Sequence, residues 1–395
     1  MKWKLILIIF IISTNLLLNG CVGSKEINTL ALAISIGIDK IDDDYSVTYQ
    51  VLNPKAIAPQ KTSNESPVFL YTERGKDLFE ILRRITTISP RKIYNSHIRM
   101  IVFSEDVAKE GINSFMDFFL RDYEYRTDFY FVVSKGISAH EILKKITPLE
   151  YVSGMEMYNS IQSSKKAWTS TKAVTIIELM SKLITDGVNP VLSSVELVEE
   201  GNKSDSIDGL KQSAVSKLKL SSLCAFKDDK LVGYLTEEES EGYNYITRIV
   251  KDTARYVQLD EKNRITMVIK SKSKTNAYMV KGKPAINVTI NLVVNIAAET
   301  GDFDVSTEKN AKKISNLLEE DISRLCNSSI KKAQEDLDTD IFGFGEVIHR
   351  HYPKVWKKIK NDWNNEFTNL PVNVTVHAKV NRLGETTKSF FMKEK

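Results

Sequence analysis

The chain has 395 residues, of which 42% are hydrophobic, 27% charged and 9% aromatic, a composition rich enough in core formers to exclude disorder and collagen-like repeats. Its 55 Lys and Arg against 51 Asp and Glu leave +4 with His neutral, so no strong overall field favours nucleic acid, and nucleic-acid binding is not expected. Three Cys and five scattered His make no disulfide framework and no zinc-ligand spacing; no metal and no cofactor is expected.

Met1 to Lys4 carry two lysines, Leu5 to Ile12 is unbroken apolar sequence, and Leu16-Leu17-Leu18-Asn19-Gly20-Cys21 follows a short polar break. This is the layout of a secretory signal, residues 1–20. The apolar stretch from Leu5 to Leu18 is too short for a permanent span, which needs about 20 residues. Leu18-Asn19-Gly20-Cys21 is similar to the bacterial lipobox, with Asn19 where that motif prefers Ala or Ser. Cys21 is therefore read as the mature N-terminus, carrying a diacylglyceryl group that holds the body at a membrane.

Downstream, Thr29 to Ile38 and Tyr45 to Leu52 read as a hairpin around an acidic turn, and Pro54 to Pro67 as a loop. Leu78, Ile81, Leu82, Ile85 and Ile88 recur at helical spacing across 76–88. His97 to Phe103 reads as a buried strand, Ser104 as the cap of a helix over 105–120, and Asp128 to Val133 as a strand. Ser138 with Glu141 reads as a capping box for a helix over 139–146. A further helix, 172–185, stops at Asp186-Gly187. Glu199 to Ser213 has the composition of a linker. Beyond it, Lys217 to Phe226 and Lys230 to Leu235 flank Asp228-Asp229 as a hairpin. Long strands meet near Gly282-Lys283-Pro284, helices follow over 306–338 and 344–367, and Val372 to Val380 is a last strand. The expected division is 21–200, a small middle part 201–255 holding the hairpin, and 256–395. The expected class is α+β, mainly antiparallel or mixed sheets flanked by helices.

Motifs for catalysis are missing from the sequence: it has no G-x-S-x-G, Walker A, G-x-G-x-x-G or H-E-x-x-H pattern. Gly343-Phe344-Gly345 reads as a turn before a helix, and His349 and His351, two apart, face different ways on one. Cys224 and Cys326 read as core thiols, with a disulfide between them left open. Arg121-Asp122-Tyr123-Glu124-Tyr125-Arg126 packs four charges and two aromatics between a helix and a strand. It reads either as a solvated connection or as a partner-docking site, because Arg and Tyr are frequent anchors of protein interfaces. Lys270, Lys272, Lys274, Lys281 and Lys283 make a basic hairpin, either a solvated edge or a lipid contact.

These segments together resemble the Ger(x)C lipoprotein family, the C subunits of bacterial spore germinant receptors. The resemblance runs from Gly20-Cys21, Glu26-Ile27-Asn28 and Gly37-Ile38-Asp39 through His97, Glu105, Ala108, Gly111, Asp117-Phe118, Arg121-Asp122, Glu124 and Arg126. It continues in Ala225-Phe226-Lys227, Leu231-Val232-Gly233 and Leu235, then Asp340-Ile341-Phe342-Gly343-Phe344-Gly345, Tyr352-Pro353, Trp356, Trp363 and Phe367. It implies a three-domain α+β protein without catalytic activity, lipid-anchored on the outer face of the spore inner membrane and assembled with an A subunit and a transporter-like B subunit. Contact of this subunit with the germinant is left open. A solute-binding lipoprotein of a transporter is the other reading of the anchor, and would show repeated βα units in two lobes.

Overall fold

A computed structural model describes residues 3, 4, 6, 29–53, 56, 66–146, 150–198, 217–300, 303–305 and 307–382. Apart from residues 3, 4 and 6, the expected signal segment lies outside the described residues, as do Cys21 and the expected linker 199–213.

Strand β1 (Leu30–Ile41) is apolar along nearly its whole length because it becomes the buried centre of a sheet. A two-residue turn at Asp42-Asp43, with Asp42 at φ 54°, folds it back onto β2 (Asp44–Leu52). β3 (Val68–Gly75) extends the pair antiparallel. Helix α1 (Leu78–Arg84) starts where the Asp77 carboxylate accepts from the Glu80 amide at 2.9 Å, and buries Leu78 and Ile81. The helical spacing therefore holds, but the last turn tightens into a 3-10 helix over Ile85–Thr87.

The short strand β4 (Lys92–Tyr94) pairs parallel with the start of β1. His97 lies in a 3-10 turn rather than in the strand expected there, and β5 begins at Met100 (Met100–Ser104). Ser104 does cap a helix, but Gly111 at φ 136° breaks the expected 105–120 segment. The break leaves α2 (Glu105–Glu110) and α3 (Asn113–Arg121). β6 (Tyr130–Ser134) follows, then α4 (Ala139–Lys144), whose first turn is held by the Ser138 hydroxyl. Glu141 does not close the expected box; its carboxylate meets Lys144 at 3.3 Å.

Two helices complete the first half before its closing strands. α5 (Ser153–Ala167) has no counterpart in the sequence reading, and α6 (Ile176–Ile184) starts at the Thr175 cap, four residues later than expected. β7 (Val191–Val198), β8 (Lys217–Lys227) and β9 (Lys230–Tyr234) then add to the sheet, the last two as the expected hairpin around Asp228-Asp229.

The resulting nine-stranded sheet has the order β3-β2-β1-β5-β6-β7-β8-β9, with β4 beside β1. Its centre, β1-β5-β6-β7, is parallel and both ends are antiparallel. One face packs on α1, α2, α3 and α6, the other on α4 and α5. The hairpin Asp228 turn and β8 thus belong to the same sheet as β1.

The second sheet is introduced by α7 (Glu237–Ile246) and consists of β10 (Thr253–Gln258), β11 (Arg264–Val280), β12 (Lys283–Thr300) and a final strand, β13 (Val372–Arg382). β11 and β12 meet at Lys281-Gly282, both at positive φ, the two-residue turn whose twist suits a hairpin. Pro284 accordingly lies in the strand and not in the turn. Between β12 and β13 the chain forms α8 (Glu308–Lys331), α9 (Phe344–His351), α10 (Pro353–Ile359) and α11 (Trp363–Thr368). Ile314, Leu318, Ile322 and Leu325 of α8 cover the inner face of this sheet. Both sheets are therefore mixed and flanked by helices, the α+β arrangement expected from strands preceding helices in the second half.

A buried lock joins the two sheets. The Asp340 carboxylate accepts from the backbone amides of Phe342, Gly343 and Gly345 at 3.0, 2.9 and 2.8 Å and from the Trp363 indole at 3.3 Å. Burial pushes its carboxyl up to about 6 although these donors pull the other way. Its carbonyl accepts from the Asn189 amide at 2.7 Å, just before β7, and the Thr339 hydroxyl donates to the Phe226 carbonyl of β8 at 2.9 Å. Gly187 and Gly345 lie backbone to backbone, so close that a Cβ on either would fall 2.7–2.8 Å from the other's Cα. The Gly-Phe-Gly turn therefore serves both the start of α9 and this contact.

Candidate partner-docking site

Helix α3 ends at Arg121, and the chain crosses to β6 through the charged cluster singled out in the sequence. Apolar spacing fixes the helix: Phe115, Met116 and Phe119 are buried, while Asp117, Leu120 and Arg121 face out. The Asp122 carboxylate closes the connection by accepting from the Glu124 amide at 2.9 Å. This bond turns the chain so that Tyr123 and Tyr125 point in opposite directions.

Tyr123 is 92% exposed. Tyr125 is buried, with its ring edge-on to Phe118 and Phe119 at 5.5 and 5.2 Å and its hydroxyl 2.9 Å from that of Tyr49. Burial raises its hydroxyl well above the usual tyrosine range. Tyr125 is thus the pin that holds the loop to the core, a role its sequence neighbourhood did not distinguish from that of Tyr123. Glu124 is mostly covered and forms an ion pair with Lys92.

The two arginines remain at the surface. The Arg121 Nε donates to both oxygens of Asp117, at 2.8 and 2.7 Å, with the Arg121 side chain 79% exposed; the pairing holds the Asp117 carboxyl below its ordinary range. Arg126 stands 3.5 Å from Asp128, which also accepts from Arg99 at 2.8 Å. Neither arginine pairs with a buried carboxylate.

Beside the loop, α1 and α3 leave a groove of about 650 Å³ lined by Tyr45, Phe79, Phe118, Arg121 and Tyr123. Asp122 and Tyr123 also border a smaller groove of about 240 Å³ on the Lys92 side. Phe79 is about half exposed here. The arrangement offers apolar rings between charged side chains, the composition that a protein partner buries most effectively.

The other sequence candidates lie elsewhere and serve the fold. Gly37 lets α4 approach β1, where a Cβ would meet Ala139 and Leu143 at 3.1 Å. Two residues on, Asp39 accepts from the Ala139 and His140 amides at 2.7 and 2.9 Å, capping α4 from a distant strand. Cys224 and Cys326 are buried free thiols, the first pushed up to about 12 by burial. His349 stacks on Trp356, and the His351 ring nitrogen contacts the Val347 carbonyl at 2.8 Å. Among the described residues no three His, Cys, Asp or Glu side chains converge as metal ligands, and no helix is long and apolar enough to cross a membrane.

Comparison with known proteins assigns both halves. Residues 23–197 match the spore germination protein N-terminal domain, and residues 221–384 match the spore germination B3/GerAC-like C-terminal domain. Spore germination protein KC of Bacillus subtilis is 25% identical over 394 residues, covering 96% of each chain. Spore germination protein A3 of the same organism is 25% identical over 93% of this chain and 95% of its own, and protein B3 is 22% identical over 94% and 96%. The fold is similar to the crystal structure of the GerBC protein, with a TM-score of 0.55 and 19% identity over 87% of this chain and 96% of that one. The sequence motifs, the two mixed sheets and these matches agree: the chain belongs to the Ger(x)C family of spore germination proteins.

Proposed function

We propose that this chain is a non-enzymatic subunit of a spore germinant receptor, tethered by a diacylglyceryl group on Cys21 to the outer face of the spore inner membrane. In this reading it scaffolds the receptor's A and B subunits while nutrient sensing triggers germination. The observation that carries the proposal is the family match along nearly the whole chain, joined to a lipobox-like Gly20-Cys21 at the end of an apolar leader.

The loop Arg121 to Arg126, with Asp122, Tyr123 and Glu124 between and Tyr125 as its pin, is the proposed docking surface. Its exposed arginines and Tyr123 border an apolar groove. Surface ion pairs of this kind add little to the stability of a folded chain, whereas the same groups gain value once a partner covers them. The double change Arg121→Ala with Arg126→Ala is therefore expected to abolish the germination response of spores and to leave the melting temperature of the purified chain within a few degrees. Normal germination by spores carrying the doubly changed protein at wild-type abundance would remove this surface from the interface.

A further inference from the structure

The outer face of the second sheet is built from one sign of charge. From Arg264 to Ala298, and again from Pro371 to Arg382, the sequence has no Asp or Glu, although the chain carries 51 of them. Strand alternation sorts the apolar residues Ile265, Met267 and Ile269 of β11 inward, beneath α8, and leaves Lys270, Lys272 and Lys274 exposed on the opposite face. Register carries the pattern across: Lys270 lies opposite Val293, and Val293 opposite Lys379 on β13. Asn291 and His377 fill the neighbouring exposed positions. At the tip, Lys281 and Lys283 flank the turn beside Tyr278 and Val280, which are 39% and 44% exposed. Lys270, Lys272, Lys274, Lys281, Lys283 and Lys379 make no ion pair with any described residue.

We infer that this face and its tip rest on the anionic headgroups of a phospholipid bilayer. The choice of occupant rests on the membrane location proposed above. Three features favour lipid over a protein or a nucleic acid. Most cations of the face are lysines, which are depleted from protein interfaces but suit a diffuse layer of headgroup charge; Arg264 and Arg382 lie at the end away from the tip. The surface between them is mostly Asn, Thr and His, with one exposed valine, Val293, and no aromatic anchor for a hot spot. The tip places one tyrosine and one valine beside two lysines, the mixture of aromatic, apolar and cationic groups that settles at a bilayer interface. Protection of the sheet edge accounts for isolated lysines, but it does not require them to share one face without any acid.

The test uses residues 22–395, which keep every strand and helix from β1 to β13 and lack the lipidation cysteine. Cosedimentation is measured with vesicles of pure phosphatidylcholine and of phosphatidylcholine with 30% phosphatidylglycerol, a composition of about the anionic content that such surfaces sense. Binding is expected to the anionic vesicles alone and to fall with added salt. The triple variant Lys270→Gln, Lys272→Gln, Lys274→Gln is expected to lose on the order of a hundredfold in partitioning, at about fivefold per lysine, with unchanged circular dichroism and melting temperature. Equal binding of the triple variant and the wild type would overturn the inference, as would binding of short duplex DNA as tight as that of the anionic vesicles. Because the assay omits Cys21 and its lipid, either failure leaves the anchor proposal standing.

Discussion

In spores that lack the A and B subunits, a chain starting at residue 22, exported behind a cleavable signal without a lipidation cysteine, is expected to leave the membrane fraction on a high-salt wash, while the native chain stays. Two acyl chains bury many methylenes at about 0.8 kcal/mol each, enough for stable anchoring. A lysine-rich sheet face supplies only a salt-sensitive contact, which the wash removes. The described strands and helices from β1 onward begin at or after Leu30, so the shortened chain keeps all of them and is expected to melt as the native body does. The simpler change Cys21→Ala in the full precursor is less decisive, because an uncleaved apolar leader also holds a protein to a bilayer. Salt-resistant retention of the shortened chain would show that something other than a lipid on Cys21 anchors it.

Gly187→Ala is expected to destabilise the fold at the junction of its two sheets. Gly187 lies at φ 80° in the turn that follows α6, and a Cβ there would lie 2.6 Å from the Trp356 ring and 2.8 Å from the Gly345 backbone. The left-handed backbone alone costs a non-glycine residue about 1–2 kcal/mol, and overpacking adds about 1–3 kcal/mol. The clash falls where the Asp340 turn meets the segment leading into β7, so the loss should appear as early separation of the two sheets as well as a lower melting temperature. Gly282→Ala is the control: it has the same positive φ, at 82°, but open space around it. Thermal unfolding of the two variants side by side decides the matter; equal small losses would mean that the two halves do not depend on the Gly187–Gly345 contact.

Gly187 also illustrates what a sequence can and cannot disclose. Its place after Asp186 marks a helix end, because only local backbone geometry is involved. Its contact with Gly345 joins residues far apart in the chain, and no local pattern encodes that. The same division runs through the fold. Caps at Ser104 and Ser138 and the hairpin at Asp228-Asp229 were legible from short-range chemistry. Gly111 was a visible breaker within the helix expected over 105–120, and its positive φ splits that helix.

Two helices escaped for different reasons. The polar sequence of α5 shows little apolar periodicity, because several of its residues are only partly covered between β-strands and solvent. α7 did carry a signal: Thr236 and Glu239 form a full capping box, with the Thr236 hydroxyl accepting at 3.2 Å and the Glu239 carboxylate at 2.8 Å. The parallel order of β1, β5, β6 and β7 and the capping of α4 by Asp39 depend on tertiary contact alone. In the Arg121–Arg126 loop, charge density correctly marked exposed arginines, but Tyr123 and Tyr125 differ only in the direction set by the Asp122 turn. Family motifs such as Gly37-Ile38-Asp39 and the Asp340 turn proved to hold the architecture together.

The most direct test of the proposed receptor role is capture of the native, tagged chain from detergent-solubilised spore membranes. A multispanning transporter-like protein and an A-type partner are expected to elute with it in a fixed ratio, and Arg121→Ala with Arg126→Ala is expected to lower both together. Recovery of the native chain alone, from spores that germinate equally well when it is deleted, would contradict that role.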